Sequence, residues 1–309
     1  MLNPIGSMSS VPVPEILGFV HFDCYPNWLR RPQSMLAKPK PAKALTWNET
    51  WTFFFVDSFG LANYLCLVKI AIIGYGKMGK MLEALSHEYE IEVTERYDSA
   101  TPLRSDSPLE VDVAIDFTEP KLALSHIDIC SSRGIALVVG TTGWYDDFAR
   151  VEDWIKQRHS GLFYATNFSI GVNVFFQMNE ALATWLKGKG YRASMREIHH
   201  TAKKDAPSGT ALTLAQGIIQ ASEYTQWALS DSSDTISDTT LPIQSERRDP
   251  VPGTHSIEWN SSIDSIRIEH VAHSREGFAR GALVAAQWLF GKTGVFTMRD
   301  MLNFTDSNS

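Results

Sequence analysis

The sequence predicts an α/β protein built on a parallel sheet, followed by a second domain of the α+β class. From Val68 onward, short apolar segments rich in Val and Ile alternate with segments that have one apolar helical face. This alternation is typical of a parallel sheet with right-handed helical crossovers. After Asn167 the alternation stops, and later segments such as 265–272 alternate polar and apolar residues, as strands of an antiparallel sheet do.

The elements of the first domain follow in order from Val68, where each short apolar run suits a buried strand and each amphipathic stretch a helix. The predicted strands are 68–73, 91–94, 111–117, 135–139 and 161–165, and the predicted helices are 80–87, 120–133 and 146–158. In the second part, helices are predicted at 172–186, 210–221 and 278–290, and strands at 191–199, 256–260 and 265–272. A Ser-, Thr- and Asp-rich segment at 230–240 is expected to be a mobile loop.

Composition limits the classes of function. The chain has 309 residues, enough for two domains, and its net charge of −7 argues against a nucleic-acid partner. Cys24, Cys66 and Cys130 are widely spaced, so they indicate neither a disulfide framework nor a CxxC metal site. A reducing, cytoplasmic location is therefore expected.

Residues 1–67 differ in composition from the rest of the chain. No Lys or Arg precedes Glu15, so the charged start of a secretory signal is missing. The segment 51–68 is apolar but is interrupted by Asp57 and Asn63, whereas a membrane span needs about 20 mostly apolar residues. We expect no membrane anchor, and an N-terminal extension that is disordered or not part of the native protein.

A glycine-rich turn, Gly74-Tyr75-Gly76-Lys77-Met78-Gly79, joins the first strand to the first helix. In a GxGxxG turn the first glycine permits a tight turn, the second lets the backbone approach a pyrophosphate, and the third lets helix and strand pack closely. The helix N-terminus then offers amides and a positive dipole end to the phosphates. The turn predicts a Rossmann-like dinucleotide site, and the alternative is a glycine-rich turn without a ligand.

Residues at the ends of other strands extend this predicted site. Glu95 lies about 20 residues beyond the glycines, where an acid binds the adenosine ribose. Its neighbour Arg96 can pair with a 2′-phosphate, so NADH and NADPH are both allowed. The residues Gly140, Thr141 and Thr142 follow the fourth strand and suit the nicotinamide end. The alternative for Glu95 and Arg96 is a solvated ion pair at a strand end.

A polar loop, residues 199–210, follows the strand 191–199 and leads into a helix. Ser208, Gly209 and Thr210 can present backbone amides and hydroxyls to a carboxylate at the helix N-terminus. Lys203 and His200 add charge or hydrogen bonds. His199 can exchange protons near neutral pH. The loop predicts an anion site beside proton-transfer groups, and the alternative is a polar loop with an ordinary helix cap.

At this loop the sequence resembles the dihydrodipicolinate reductase family, also called 4-hydroxy-tetrahydrodipicolinate reductases. The segments that carry the resemblance are the glycine turn, the polar loop, 116–118 (DFT), 140–142 (GTT), 165–169 (ATNFS), 253–255 (GTH) and the tail 270–302. They cover nearly all of 68–303 and nothing before Leu67. Two features depart from the family: the glycine turn is one residue shorter than in many members, and Asp249 stands where a glycine forming a tight turn is common.

The resemblance implies a reductase that converts a cyclic imine dicarboxylate to tetrahydrodipicolinate with NADH or NADPH, on the lysine and diaminopimelate pathway. It implies a cytoplasmic homotetramer with a small-molecule substrate, and no metal. His199 would be the proton donor or acceptor, Lys203 the proton donor, and His200, Gly209 and Thr210 would bind substrate together with Ser208. The cofactor-binding residues would be Gly74 to Gly79, Glu95, Arg96, Gly140, Thr141, Thr142, Ala165, Thr166, Asn167 and Phe168.

Two domains are therefore expected, with 68–169 and 276–309 binding the dinucleotide and 170–275 binding substrate and forming the oligomer. Three other interpretations stay open. Another two-domain nicotinamide oxidoreductase would share the first domain but lack the polar loop. A non-catalytic nucleotide sensor would bind the cofactor without turnover. A metal enzyme would use histidines such as His199 and His270, but their spacing matches no metal site.

Overall fold

The structure, a computed structural model, describes residues 67–230 and 237–304. The predicted N-terminal extension, apart from Leu67, and most of the predicted loop at 230–240 lie outside these residues. The strands are β1 (Val68–Ile73), β2 (Ile91–Tyr97), β3 (Val113–Asp116), β4 (Ala136–Val139), β5 (Gly161–Tyr164), β6 (Arg192–His199), β7 (Gln226–Leu229), β8 (Thr240–Arg247), β9 (Gly253–Asn260), β10 (Ser265–Ala272) and β11 (Gly294–Phe296). The helices are α1 (Lys77–Ser86), α2 (Pro120–Ser132), α3 (Phe148–Arg158), α4 (Ile170–Leu186), α5 (Gly209–Ala221), α6 (Glu276–Leu289) and α7 (Met298–Met301).

The first sheet has six strands in the order β11-β5-β4-β3-β1-β2, all parallel. Alternate residues of a strand face opposite sides, so Ile70 and Ile72 of β1 pack in a core with α1 and α6. Ala71 and Ile73 face a second core formed with α2 and α3. The predicted Rossmann-like sheet with helices on both faces is confirmed, and its strand ends meet at one edge.

Helix α6 packs on the first sheet although it follows the second sheet in the chain. Its buried face is made of small residues, including Ala279, Ala282 and Ala286, and these allow a close approach. The closest approach is at Gly281, where a Cβ atom would lie 1.7 Å from the carbonyl oxygen of Phe168. Only glycine fits there, so α6 fixes the backbone of the segment that leaves the first sheet after β5.

The second sheet has five strands in the order β10-β9-β6-β8-β7. Strands β6, β9 and β10 pair antiparallel, while β8 runs parallel to β6 and β7. Helices α4 and α5 cover one face, and apolar side chains such as Met195, Ile243 and Ile257 pack beneath them. The predicted second α+β domain is confirmed, whereas the predicted domain boundaries at 169 and 275 remain a prediction.

Several differences from the predicted elements concern strands. Strand β2 continues to Tyr97 rather than ending at Thr94, so Glu95 and Arg96 lie inside the strand and not after it. Strands β7, β8 and β11 were not predicted. Strand β7 has only four residues. In β8 the positions that face the core begin with apolar Leu241 and Ile243 and continue with polar residues, so the strand has no regular alternation of polar and apolar residues. Among the described residues, no helix is long and apolar enough to span a bilayer.

Candidate active site

A cavity of about 590 Å³ lies between the carboxyl edge of the first sheet and the second sheet. The first domain contributes Thr142, Thr166 and Asn167 to its wall. The polar loop contributes His199, His200, Lys203, Ser208, Gly209 and Thr210. The side-chain amide of Asn167 donates a hydrogen bond to the Thr210 hydroxyl at 3.4 Å. The structure therefore brings the predicted nicotinamide end and the predicted substrate loop together around one cavity.

The N-terminus of α5 forms one side of this cavity. Ser208 is the N-cap residue, and its hydroxyl accepts a hydrogen bond from the Ala211 amide at 3.2 Å. The first amides of a helix have no acceptor within the helix and carry the positive end of its dipole. Gly209 and Thr210 are at these positions, so this end of α5 favours an anionic group such as a carboxylate.

Lys203 lies on the same side of the cavity. Its side chain is about one quarter exposed, and Nζ lies 2.9 Å from Asp205 Oδ2. The hydrogen bond from Lys203 lowers the pKa of the Asp205 carboxyl. Lys203 is therefore a cation held at the cavity mouth by a single ion pair, in a position to contact an anion inside.

The polar loop is anchored to the end of β8 and the residues after it. The amide of Arg248 donates to the His199 carbonyl at 2.7 Å. Asp249, where the sequence departs from the family, accepts hydrogen bonds from the amide and the hydroxyl of Thr201 at 3.1 and 2.5 Å. The Arg247 guanidinium donates to the carbonyls of Lys203, at 3.2 Å, and Asp205. Asp249 therefore holds the polar loop in place by hydrogen bonds, at a position where a glycine is common in the family.

Glu197 and its neighbours form a buried polar cluster beneath the loop. Glu197 pairs in register with Ser245 on β8 and with His255 on β9. Its Oε2 atom lies 3.1 Å from Nδ1 of His199 and 3.7 Å from Nε2 of His255. Nε2 of His255 is also 3.0 Å from the Ser208 hydroxyl. Glu197 is 1% exposed, so its charge requires these partners.

The protonation of this cluster follows from its surroundings. Burial raises the pKa of Glu197, but hydrogen bonds from His199, Ser208 and Ser245 outweigh it and hold the pKa below its ordinary value. Burial and the nearby His199 lower the pKa of His255 to about 4. Glu197 is therefore ionised and His255 neutral near pH 7. Donor atoms of Glu197, His199 and His255 lie within 4.8 Å of one another, but Arg247 already neutralises the carboxylate at 3.2 Å.

The glycine turn has the geometry of a dinucleotide cradle. Gly74 has a φ of +95°, and a Cβ there would lie 2.2 Å from the carbonyl oxygen of Phe117. A Cβ on Gly79 would lie 2.7 Å from the carbonyl oxygen of Gly74. Gly76 has open space beside it, where a pyrophosphate could approach the backbone. Lys77 and Met78 begin α1, so the turn and helix fit the predicted phosphate site.

The buried Asp116 carboxylate connects two of the loops at this edge. Its Oδ1 atom accepts hydrogen bonds from the hydroxyls of Thr118 and Thr141 at 2.7 and 2.8 Å. Its Oδ2 atom lies 2.7 Å from Nδ1 of His126. The two loops are also closely packed, because a Cβ on Gly140 would overlap the Phe117 ring. The loops after β3 and β4 are thus fastened to each other.

Not every predicted cofactor residue reaches the cradle. The Glu95 carboxylate accepts hydrogen bonds from the Tyr97 hydroxyl at 2.6 Å and the Glu110 amide at 2.8 Å. Arg96 pairs with Glu83, which also accepts a hydrogen bond from the Tyr75 hydroxyl. Ala165 and Phe168 are buried, so only their backbones could face a ligand.

A residue that the sequence interpretation missed stands at the expected position of the ribose-binding acid. The amide of Gly74 donates to the carbonyl of Tyr97, and Asp98 is the next residue. Asp98 lines a cavity of about 430 Å³ together with Gly74, Thr118 and His126. Hydrogen bonds from Thr101 and Ala100 lower the pKa of Asp98, so it is charged. Counting β2 to its last residue would have identified Asp98 from the sequence.

The fold and the site define a two-domain oxidoreductase of the nicotinamide-dependent class. Comparison with known families agrees: residues 68–168 match the model for the dihydrodipicolinate reductase N-terminus, and residues 171–302 match that for the C-terminus. The chain belongs to the dihydrodipicolinate reductase family, and the predicted resemblance is confirmed.

Individual relatives support this assignment. The chain is 44% identical over 238 residues to a 4-hydroxy-tetrahydrodipicolinate reductase of Christiangramia forsetii, which covers 76% of this chain and 98% of the relative. It is 31% identical over 237 residues to the enzyme of the same name from Methanosarcina mazei, covering 75% and 88%. A solved dihydrodipicolinate reductase from Paenisporosarcina sp. TG-14, with dipicolinate bound, has a TM-score of 0.63 at 21% identity and covers 77% of this chain and all of that one. That structure supports the fold.

Proposed function

We propose that this chain reduces the cyclic imine ring of 4-hydroxy-tetrahydrodipicolinate or dihydrodipicolinate to tetrahydrodipicolinate, in the lysine and diaminopimelate pathway, with the hydroxyl group of the former leaving as water. The observation that carries the proposal is the shared cavity. The nicotinamide-side loops of the first sheet and the anion-binding start of α5 line the same 590 Å³ space. Membership of the reductase family gives the reaction.

The residues of the polar loop take the following roles in this proposal. The amides at Gly209 and Thr210, with Ser208, Lys203 and His200, hold the two carboxylates of the substrate. Holding both reactants in one geometry supplies several kcal/mol of the barrier. Thr142, Thr166 and Asn167 would hold the nicotinamide end of the cofactor, which would supply a hydride to the imine ring when bound in its reduced form. Lys203 stabilises the developing negative charge, and Lys203 and His199 provide the proton that the ring then takes up.

The cofactor site that we propose uses the glycine turn for the pyrophosphate and Asp98 for the adenosine ribose. Asp98 is charged and exposed at the end of β2, where a carboxylate binds the ribose hydroxyls and repels a 2′-phosphate. Arg96, which could have attracted that phosphate, is paired with Glu83. NADH is therefore the preferred cofactor.

Asp98→Asn is expected to weaken the preference for NADH. The amide keeps the local turn but removes the repulsive charge, so the ratio of kcat/KM for NADPH over NADH should rise about tenfold, equivalent to ~1.4 kcal/mol. Initial rates with each cofactor at matched concentrations measure the ratio. Glu95→Gln is the matched control and should leave the ratio unchanged. A larger change for Glu95→Gln than for Asp98→Asn would restore Glu95 as the ribose ligand.

The reaction itself is tested by a coupled assay. Dihydrodipicolinate synthase with pyruvate and aspartate semialdehyde generates the substrate, and oxidation of the reduced nicotinamide is followed by absorbance. Turnover that depends on the synthase is the expected result. Binding of NADH without any turnover would instead favour a nucleotide sensor.

We also infer that the protein is a cytoplasmic homotetramer joined through its second sheet. Helices α4 and α5 lie on one face of this sheet, and among the described residues no helix covers the other face. That face carries ion pairs such as Arg196–Glu246 and Arg267–Glu269. Sedimentation should give four times the chain mass of 34.6 kDa, and a monomer would contradict the assembly.

A further inference from the structure

We propose that Glu197 is a positioning residue that fixes the tautomer of His199 and ties it to the substrate-binding end of α5. The inference rests on the proposed function, because it assigns a task to the residue behind the proton-transfer group. Glu197 itself does not line the cavity. One of its carboxylate oxygens faces His199. The other accepts hydrogen bonds that connect it to the start of α5 and, through Arg247, to the polar loop.

The first oxygen, Oε1, is fully engaged by donors. It accepts hydrogen bonds from the Ser208 amide at 3.1 Å, the Ser245 hydroxyl at 2.5 Å and the Arg247 guanidinium at 3.2 Å. Three donors converging on one oxygen fix the rotation of the carboxylate. They also connect Glu197 to the N-cap of α5 and, through Arg247, to the carbonyls of Lys203 and Asp205.

The second oxygen, Oε2, is therefore directed at His199. The distance from Oε2 to Nδ1 is 3.1 Å, which makes them an ion-pair contact, and both atoms are buried with no hydrogen bond to any of the described residues. An ionised carboxylate has no proton to give, so Nδ1 must carry the proton. The other ring nitrogen, Nε2, is then left for the cavity that His199 lines. The same logic orients the imidazole in a Ser-His-Asp triad.

The remaining neighbours of His199 do not compete for this task. His255 on β9 has its ring centre 5.0 Å from that of His199 and is neutral, with Nε2 engaged by Ser208. Arg247 on β8 and Lys203 in the loop are cations, which disfavour a second positive charge on His199. Of the groups that face His199 from β6, β8, β9 and the loop, Glu197 is thus the one that stabilises a protonated ring.

Glu197→Gln tests the proposal because it keeps size and removes only charge and an acceptor. The three donors at Oε1 require the amide oxygen there, so the NH₂ group replaces Oε2. It then donates to Nδ1 and forces the His199 proton onto Nε2. We expect kcat to fall about 100-fold, the scale of a lost acid or base. Loss of the carboxylate should also move the basic limb of the kcat profile to lower pH by about one unit.

Glu152→Gln is the matched control, because Glu152 is exposed on α3 and lies outside the cluster. It should leave kcat and its pH profile as in the wild type. NADH binding by fluorescence should be unchanged in both variants, which separates loss of the His199 function from loss of the fold. A Glu197→Gln enzyme with a wild-type pH profile would overturn the proposal.

A second measurement needs no variant and no turnover. ¹⁵N NMR of the full-length protein at alkaline pH, where His199 is neutral, should place its proton on Nδ1, and Glu197→Gln should move it to Nε2. A wild-type proton on Nε2 would overturn the inference even in an active enzyme. Failure of the coupled assay with the Nδ1 tautomer present would instead remove the proposed function and leave the structural role of Glu197.

Discussion

Lys203→Ala is expected to lower kcat about 100-fold or more, the scale of a lost acid catalyst. The variant removes the cation at the cavity mouth, and with it both a proton source and the charge that stabilises the anion formed during reduction. The KM for the dicarboxylate should also rise, because one carboxylate loses a partner. Steady-state kinetics in the coupled assay measure both values, and NADH binding should be unaffected.

The neighbouring residue provides the control for this experiment. Lys204 carries the same charge one position later, but it is exposed and does not line the cavity. Lys204→Ala should retain wild-type kcat, which distinguishes a specific role of Lys203 from a general electrostatic effect of the loop. Equal losses in the two variants would contradict the assigned role of Lys203.

Gly281→Ala is expected to destabilise the protein by about 3 kcal/mol, the upper range for an overpacked core. The added Cβ would lie 1.7 Å from the carbonyl oxygen of Phe168, and backbone cannot move aside as a side chain can. Helix α6 must then shift away from β5 and the Asn167 segment. The thermal midpoint should fall by roughly 10 °C, and NADH should bind more weakly.

Gly277→Ala, one turn earlier in the same helix, is the matched control. Its Cβ would lie 3.4 Å from the Ser169 hydroxyl, an ordinary contact, and alanine favours a helix over glycine by up to about 1 kcal/mol. The midpoint of this variant should stay constant or rise. If Gly281→Ala were equally stable, the close approach of α6 to Phe168 would not exist in solution.

The first sheet could be predicted almost entirely from the sequence. Its central strands are mostly buried on both faces, so they read as apolar runs such as Val68–Ile73, and the glycines that follow mark the predicted phosphate turn. Strand β11 was missed because it has only three residues. The end of β2 was set too early, because the alternating polar residues Glu92, Thr94 and Arg96 obscure where the strand stops. Ending β2 too early left Asp98, the residue after the strand, out of the candidates for the ribose-binding acid, which the sequence analysis placed at Glu95.

The polar loop was also found from the sequence, but its support was not. The family resemblance predicted functional roles for His199 and Lys203. Glu197, Ser245 and His255 come from three strands, and only the register between β6, β8 and β9 shows that they meet. Since strand β8 was missed, no sequence argument could have placed Ser245 or Arg247 beside Glu197.

The loops after β3 and β4 are held together by hydrogen bonds to Asp116. This link limits which substitutions could alter the choice of cofactor. A substitution at Thr118 or Thr141 disturbs both loops at once, because both hydroxyls share a single carboxylate oxygen. Strand β2 ends outside this shared anchor, and the hydrogen bonds of the Asp98 side chain within the described part of the chain all lie in its own turn. In the proposed cofactor site, a substitution at Asp98 would therefore leave undisturbed the loops that would hold the nicotinamide end.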